Sequence, residues 1–273
     1  MRKLGFSTIM LWVGLLFLYL PMLILVIYSF NASKLVTVWG GWSGKWYAEL
    51  LKDEQIIDAV FTSLAIAFYS SCMAVILGTM AAFVMTRFRH SWAKMTLSNM
   101  ITAPLVMPEV ITGLSLLLLF VHMADLIGWP TERGMTTVWI AHSTFCAAYV
   151  AVVVSSRLRE VDRSVEEAAL DLGATPLQSF FLVTVPMITP ALISGWLLAF
   201  SLSLDDLVIA SFTSGPGSTT LPMVVFSSVR LGVSPKINAL ATLIILAVSL
   251  VALIAWYVAH RSQKRSMARI NEE

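Results

Sequence analysis

Charge is scarce in this sequence. Only 12% of its 273 residues are Asp, Glu, Lys or Arg, against 58% that are hydrophobic, and so few polar side chains cannot cover a water-soluble globule of this length. Cysteine is nearly absent too: Cys72 and Cys146 both lie inside apolar blocks without metal-ligand neighbours, which leaves them as small hydrophobes with no assigned role. The net charge of +2 gives no argument for a nucleic-acid partner. A nucleotide-binding loop is lacking as well. The segment from Gly40 to Trp46 has only three residues between Gly40 and Gly44 and no Ser or Thr after Lys45, so it is not a phosphate loop. No other motif offers an ATP site, and the chain is not expected to be an enzyme.

What is present is apolar and long. Blocks at about 9–30, 60–86, 96–121, 135–156, 187–214 and 239–259 each run to the roughly 20 residues that cross a hydrocarbon core, which predicts an all-α membrane protein with six transmembrane helices in a single domain over 1–273. The first block is too long for a secretory h-region and continues through Pro21 to Asn31 without a small-residue cleavage site, so it reads as a retained span. With the N-terminus inside, twelve of the 18 Lys and Arg fall in inner segments, among them Arg2, Lys3, Arg87, Arg89, Arg159 and Arg163, and six in outer ones. That bias predicts both termini in the cytoplasm. Trp39, Trp42, Trp46 and Tyr47 in the first outer segment suit an interfacial aromatic belt. Pro104 and Pro108 interrupt the third block, and irregular backbone at membrane depth is tolerated beside protein or a watery cavity, not beside lipid.

The longest inner loop, at about 157–186, carries local signals for a helix-turn-helix. Ser164 with Glu167 has capping-box spacing; Gly173 suits the positive φ that stops a helix; Thr175, Pro176 and Gln178 make a second cap, first helical position and box. Leu177, Phe180, Phe181 and Thr184 then recur at i, i+3, i+4, i+7, and Val185 before Pro186 is expected to end the element. The apolar face so formed either packs under its own bundle or docks on another protein.

The run Glu167-Ala168-Ala169, three residues, Gly173, nine residues, Val183-Thr184-Val185-Pro186 resembles the cytoplasmic signature of binding-protein-dependent ABC importer permeases, with valines for the usual Ile and Leu. Tyr28-Ser29-Phe30-Asn31, Trp46-Tyr47, Ala103-Pro104, the stretch from Ser203 to Phe212, Gly215-Pro216 and Asn238 to Thr242 are similar to the polyamine-type permeases, closest to the second permease subunit of putrescine importers. The resemblance implies a type I ABC importer permease fold in the bacterial inner membrane. It also implies three kinds of protein neighbour, a second homologous permease, a pair of ATPase subunits seated on the loop and a periplasmic substrate-binding protein, beside the membrane lipid that the composition already calls for. No cofactor is expected in this chain; ATP and Mg belong with the ATPase. On that basis Glu167, Ala168, Ala169, Gly173 and Pro186 are the coupling residues.

Three acids remain inside the spans, Glu109, Asp205 and Asp206. An acid at a helix centre costs roughly 2.5–3.5 kcal/mol to insert, so each is expected to face a cavity, a partner or the path of a cationic substrate. On a regular helix Asp205 and Asp206 point about 100° apart. Asp206 shares its face with Ser203, Ala210 and Thr213, which favours it as the one lining the path; the other reading is that one of the pair caps a break in the helix or meets a basic residue of the partner permease. Trp139, Tyr149 and Trp196 offer aromatic faces to an alkylammonium, or simply pack. Another small cationic solute fits the same features as a polyamine. An intramembrane serine protease built on Gly41-Trp42-Ser43-Gly44 needs a base near Ser43, and only His122 and His142 lie on or near the outer side; His142 reads as a satisfied bundle histidine. A self-contained channel or carrier has no use for the two-helix inner loop.

Overall fold

Hydrocarbon offers no water to a backbone amide, so an apolar chain is driven to close its hydrogen bonds within each segment. The protein does this with helices. The computed structural model describes residues 5–35, 38–87, 92–232 and 234–270. Arg2, Lys3, Arg89, His90, Glu272 and Glu273 lie outside the described residues. Among those described there is no strand beyond an isolated bridge between Asn31 and Trp42.

Five helices are long and apolar enough to cross a membrane: Phe6–Tyr28, Glu54–Arg87, Glu109–Ile127, Met135–Glu160 and Pro176–Asp205. The sixth predicted block falls in the helix Pro235–Ile270, whose described apolar part is Pro235–Val251. Two blocks differ from expectation. The block at 96–121 is two helices, of which the first has only 15 residues, about 22 Å, and is too short to span. The block at 187–214 breaks at Asp206.

The chain forms two compact units, residues 1–54 with 225–273, and residues 55–224. In the first, α1 (Phe6–Tyr28) has no buried residue, and with α2 (Lys45–Leu50) it packs on α12 (Pro235–Ile270). The segment between α1 and α2 is knotted around the buried side chain of Asn31. Its amide donates to the carbonyl of Val38 at 2.8 Å and its oxygen accepts from the amides of Gly40 and Ser33, at 2.8 and 3.1 Å. Trp46 is buried and donates to the Asn31 carbonyl, so this ring packs inside the protein, whereas Trp39 and Trp42 are exposed. Lys236 reaches Asp53 at 2.8 Å and ties the start of α12 to the end of the α2 segment.

The second unit holds α3 (Glu54–Arg87), α4 (Trp92–Val106), α5 (Glu109–Ile127), α6 (Met135–Glu160), α7 (Arg163–Asp171), α8 (Pro176–Ser179), α9 (Val185–Asp205), α10 (Val208–Thr213) and the start of α11 (Leu221–Leu231). Its axis is α6, which carries the largest share of buried residues. Lipid tails are as apolar as the helices, so association depends on close approach, and small residues permit it. Ala191, Gly195, Ala199 and Ser203 recur every four residues on α9, and α3 buries Ala67, Ser71, Ala74, Gly78 and Ala82 along one stripe. Between them stands Val150 of α6, fully buried. A Cβ on Gly78 would lie 2.8 Å from the Val150 Cβ and 2.9 Å from the Ala147 carbonyl oxygen, and one on Gly195 would lie 3.3 Å from Val150 Cγ1.

These gaps rank two substitutions. The branching carbon of Val150 and a backbone carbonyl cannot swing aside, so Gly78→Ala should force α3 from α6 at a cost of about 1–3 kcal/mol. Gly195→Ala meets a methyl at the edge of ordinary contact and should cost less than about 1 kcal/mol. Thermal unfolding of the detergent-solubilised protein checks the order; equal midpoints for the two variants would contradict the packing described.

Candidate functional site

At one end of the second unit, α7 and α8 form the expected hairpin. Leu172 caps α7, Gly173 follows with φ +90°, and the amides of Gly173 and Ala174 close on the carbonyls of Leu170 and Ala169 at 2.9 and 3.0 Å. This is a Schellman stop, which only glycine enters without strain. The second box is also present: the Gln178 side-chain oxygen accepts from the Thr175 amide at 2.8 Å, and Thr175 Oγ1 accepts from the Gln178 amide at 3.3 Å. The first cap is not Ser164. Asp162 sits at the N-cap in extended geometry and accepts from the Ser164 amide at 3.0 Å. The bonds from Ser164 hold its carboxyl below the ordinary aspartate range, so the cap is complete at neutral pH and is lost only as pH falls through that lowered value.

Pro186 does not end the element. The helix runs on from α8 through a π-helical turn, Phe180–Thr184, into α9. Proline has no amide to give the carbonyl four residues back and its ring crowds it, and the wider turn makes that room. The apolar face is divided, part packed under its own bundle and part exposed. Phe180 packs edge-on against Phe83 at 5.1 Å and Thr184 is buried, while Leu177 and Phe181 are exposed, as is Leu172 at 89%. Of the residues in the signature, Glu167, Ala168, Gly173 and Pro186 are exposed and Ala169 half-buried.

The hairpin is held from beneath by a residue that the sequence reading passed over. Glu166 Oε1 accepts from Arg87 of α3 at 2.9 Å and from Thr184 Oγ1 of the π turn at 2.9 Å, and both charged side chains are largely buried. One carboxylate thus joins α3, α7 and the root of α9. The neighbouring Glu167 has the motif position and Glu166 the structural contacts.

Farther along the second unit two helix breaks lie side by side. α4 ends at Val106 and α5 starts after Pro108, whose φ −58° and ψ 134° turn the chain and whose carbonyl takes the Ile111 amide at 2.9 Å. α9 ends at Asp205, and Asp206 adopts φ −67°, ψ 124° before α10 begins. Gly113 of α5 admits Phe212 and Ile209 of α10 to close contact, and Phe120 and Ala124 stand beside Gly215 and Pro216. The two segments therefore run parallel, and Glu109, one turn before Gly113, is level with the Asp206 break.

The helical-wheel grouping holds through the break, and Asp206 takes the other reading weighed for it, a cap at a break in the helix. Asp205 is exposed, as is Glu109, whereas Asp206 is buried together with Ser203, Ala210 and Thr213. The small polar strip faces α6 because Asp206 serves the backbone: Oδ2 accepts from the Ala210 amide at 2.8 Å and Oδ1 from the Ile209 amide at 3.4 Å. His142 of α6 approaches the same carboxylate, Nε2 to Oδ2 3.2 Å, without the alignment of a hydrogen bond, and its Nδ1 shares a 2.7 Å bond with Ser203 Oγ. Trp196 stacks on Phe200 at 5.2 Å and donates to Cys72, and Tyr149 packs on Phe145. Ser43 belongs to the first unit and accepts from the Lys45 amide. Among the described residues no group of three His, Cys, Asp or Glu side chains is placed to hold a metal ion.

Comparison with known proteins identifies the family. Residues 74–267 match the family described as binding-protein-dependent transport system inner membrane component. The chain is 66% identical over 262 residues to the putrescine transport system permease protein PotI of Escherichia coli K12, covering 96% of this chain and 93% of that one. It is 38% identical over 239 residues to the spermidine/putrescine transport system permease protein PotC of the same strain, with 88% of each covered. Among solved structures, a bacterial ABC transporter that imports the acidic polysaccharide alginate superposes with a TM-score of 0.73 at 17% identity, covering 92% of this chain and 94% of that one. A form of the alginate transporter in complex with its pentasaccharide-bound periplasmic protein gives 0.69 at 15% identity, covering 90% and 88%. At such identities the structures share the fold.

The Asp206 contacts predict a graded response. Asp206→Ala leaves the Ile209 and Ala210 amides without their acceptor and should destabilise the protein by about 1–2 kcal/mol, the range for a lost helix cap. Asp206→Asn keeps one oxygen for the Ala210 amide and should fall between the alanine variant and the parent. Unfolding midpoints of the three proteins test this, and an alanine variant as stable as the parent would remove the capping role.

Proposed function

Because the chain belongs to the binding-protein-dependent transport system inner membrane component family, we propose that it is the permease subunit of an ATP-driven importer that carries a polyamine, putrescine, across the bacterial inner membrane. The likeness to the putrescine permease of Escherichia coli over nearly the whole chain carries this reading. We take the chain to act as one permease domain, with six spans counting α12 and both termini cytoplasmic, supported by the Lys and Arg asymmetry. A second homologous permease, a pair of ATPase subunits that bind ATP and Mg, and a periplasmic receptor complete the assembly. The alginate transporter bound to its periplasmic protein is a precedent of the same fold for the receptor.

The hairpin is the natural seat for the ATPase. Leu172, Leu177 and Phe181 present an exposed apolar surface beside Glu167, which makes no hydrogen bond or ion pair among the described residues, while Glu166 fixes the hairpin to the bundle. ATP-driven motion of the docked subunit then reaches α3 and α9 through one carboxylate. At the helix breaks, Glu109 and Asp205 are exposed at matched height, so two separated carboxylates meet a diamine with two ammonium groups; Asp206 behind them keeps the break in shape. Substrate is passed from the receptor to this path as the permease pair changes its open side.

Uptake by the reconstituted importer, with receptor and ATPase present, tests both halves. Gly173→Val, strained at φ +90°, and Glu167→Lys should insert and assemble normally while ATP hydrolysis loses its link to uptake. Normal coupled uptake by both would sink the docking assignment. Glu109→Gln and Asp205→Asn remove charge with little change of shape and should each lower putrescine uptake roughly tenfold, the loss expected for one hydrogen bond to a charged group. Parental rates in both variants would show that these acids do not meet the substrate.

A further inference from the structure

Beneath the hairpin lies a cavity of about 430 Å³ lined by Thr86 and Arg87 from the end of α3, Arg159 from the end of α6, and Val161, Asp162 and Arg163 from the turn into α7. Its volume is in the range of small-ligand sites. Three arginines line it, and the one acid in the wall, Asp162, is turned to the Ser164 amide. The side chain of Arg87 is only 10% exposed; its Nη2 holds Glu166, but its Nε is buried without a partner. Arg163 spends Nη2 on the Thr86 carbonyl at 2.6 Å. Arg159 is exposed and bonds to nothing among the described residues. Desolvated donors and an unspent guanidinium are what a phosphate group takes up.

We propose that this cavity binds the phosphate headgroup of an acidic phospholipid. Arg87 closes the apolar stretch of α3 and Arg159 that of α6, so the cavity opens at headgroup level. From Arg159 the exposed face of α6 continues through Ser156 and Val152, at successive turns toward the bilayer, and gives an acyl chain a surface to follow. A free phosphate would use the arginines and leave that face unused. Assignment to the inner leaflet, where acidic lipids raise local attraction for arginine, rests on the orientation proposed above. A lipid bound here would brace the ends of α3 and α6 against the root of α7, next to the Arg87–Glu166 pair.

Native mass spectrometry of the solubilised, assembled importer reads the site without reference to sidedness or transport, so a failure here is separate from a failure of the transport reading. Phosphatidylglycerol should be retained over phosphatidylcholine. Arg159→Gln should lower its retention about fivefold, the usual effect of one arginine at an acidic lipid surface, and Arg159→Lys should restore most of it. Arg157→Gln, whose guanidinium is paired with Glu160 outside the cavity, should change nothing. Millimolar inorganic phosphate should not strip the lipid. Equal retention of the two lipids, or no response to Arg159→Gln, overturns the site; displacement by inorganic phosphate overturns the lipid as its ligand.

Discussion

A backbone amide released inside hydrocarbon must find a protein acceptor, and this constraint decides how the second unit is built. Wherever a helix is interrupted, a specific group stands in for water. At the end of α9 it is the Asp206 carboxylate, which takes two amides of α10. At Pro108 the chain turns with its own carbonyl caught by the next helix. At Pro186 the spacing of the helix widens for one turn, so that the missing amide is absorbed without a stop. The breaks are thus closed locally, and the acids left over, Glu109 and Asp205, are free to face outward.

The sequence was most legible where a signal and its partner are neighbours in the chain. The Gly173 stop and the Thr175–Gln178 box involve residues three to five apart, and both are found as read. Asp162 and Ser164 compete for the same cap within two residues, and composition does not distinguish them; extended geometry at Asp162 does. The end expected at Pro186 missed because proline chemistry forbids a normal α turn, not a wider one. The grouping of Asp206 with Ser203, Ala210 and Thr213 was legible from helical spacing; which of its two weighed roles Asp206 takes was not, because the cap depends on where α9 stops.

Long-range contacts were beyond that kind of reading. Nothing near Glu166 in sequence announces Arg87, and nothing near Ser203 announces His142, since each pair is joined only when helices pack. One signal was present and unused. The four-residue recurrence of Ala191, Gly195, Ala199 and Ser203 marks the face of α9 that meets α6, and it places Asp206, three residues beyond Ser203, on the inside.

The continuity of the chain from Pro176 to Asp205 has a mechanical meaning. Thirty residues in one helical run form a stiff rod of about 45 Å, with the hairpin at one end and the Asp206 break at the other. It is seated on α6 along Ala191, Gly195, Ala199 and Ser203, with Gly195 against Val150. A rod seated along its length has no single hinge, so its two ends are tied to each other through one continuous contact with α6.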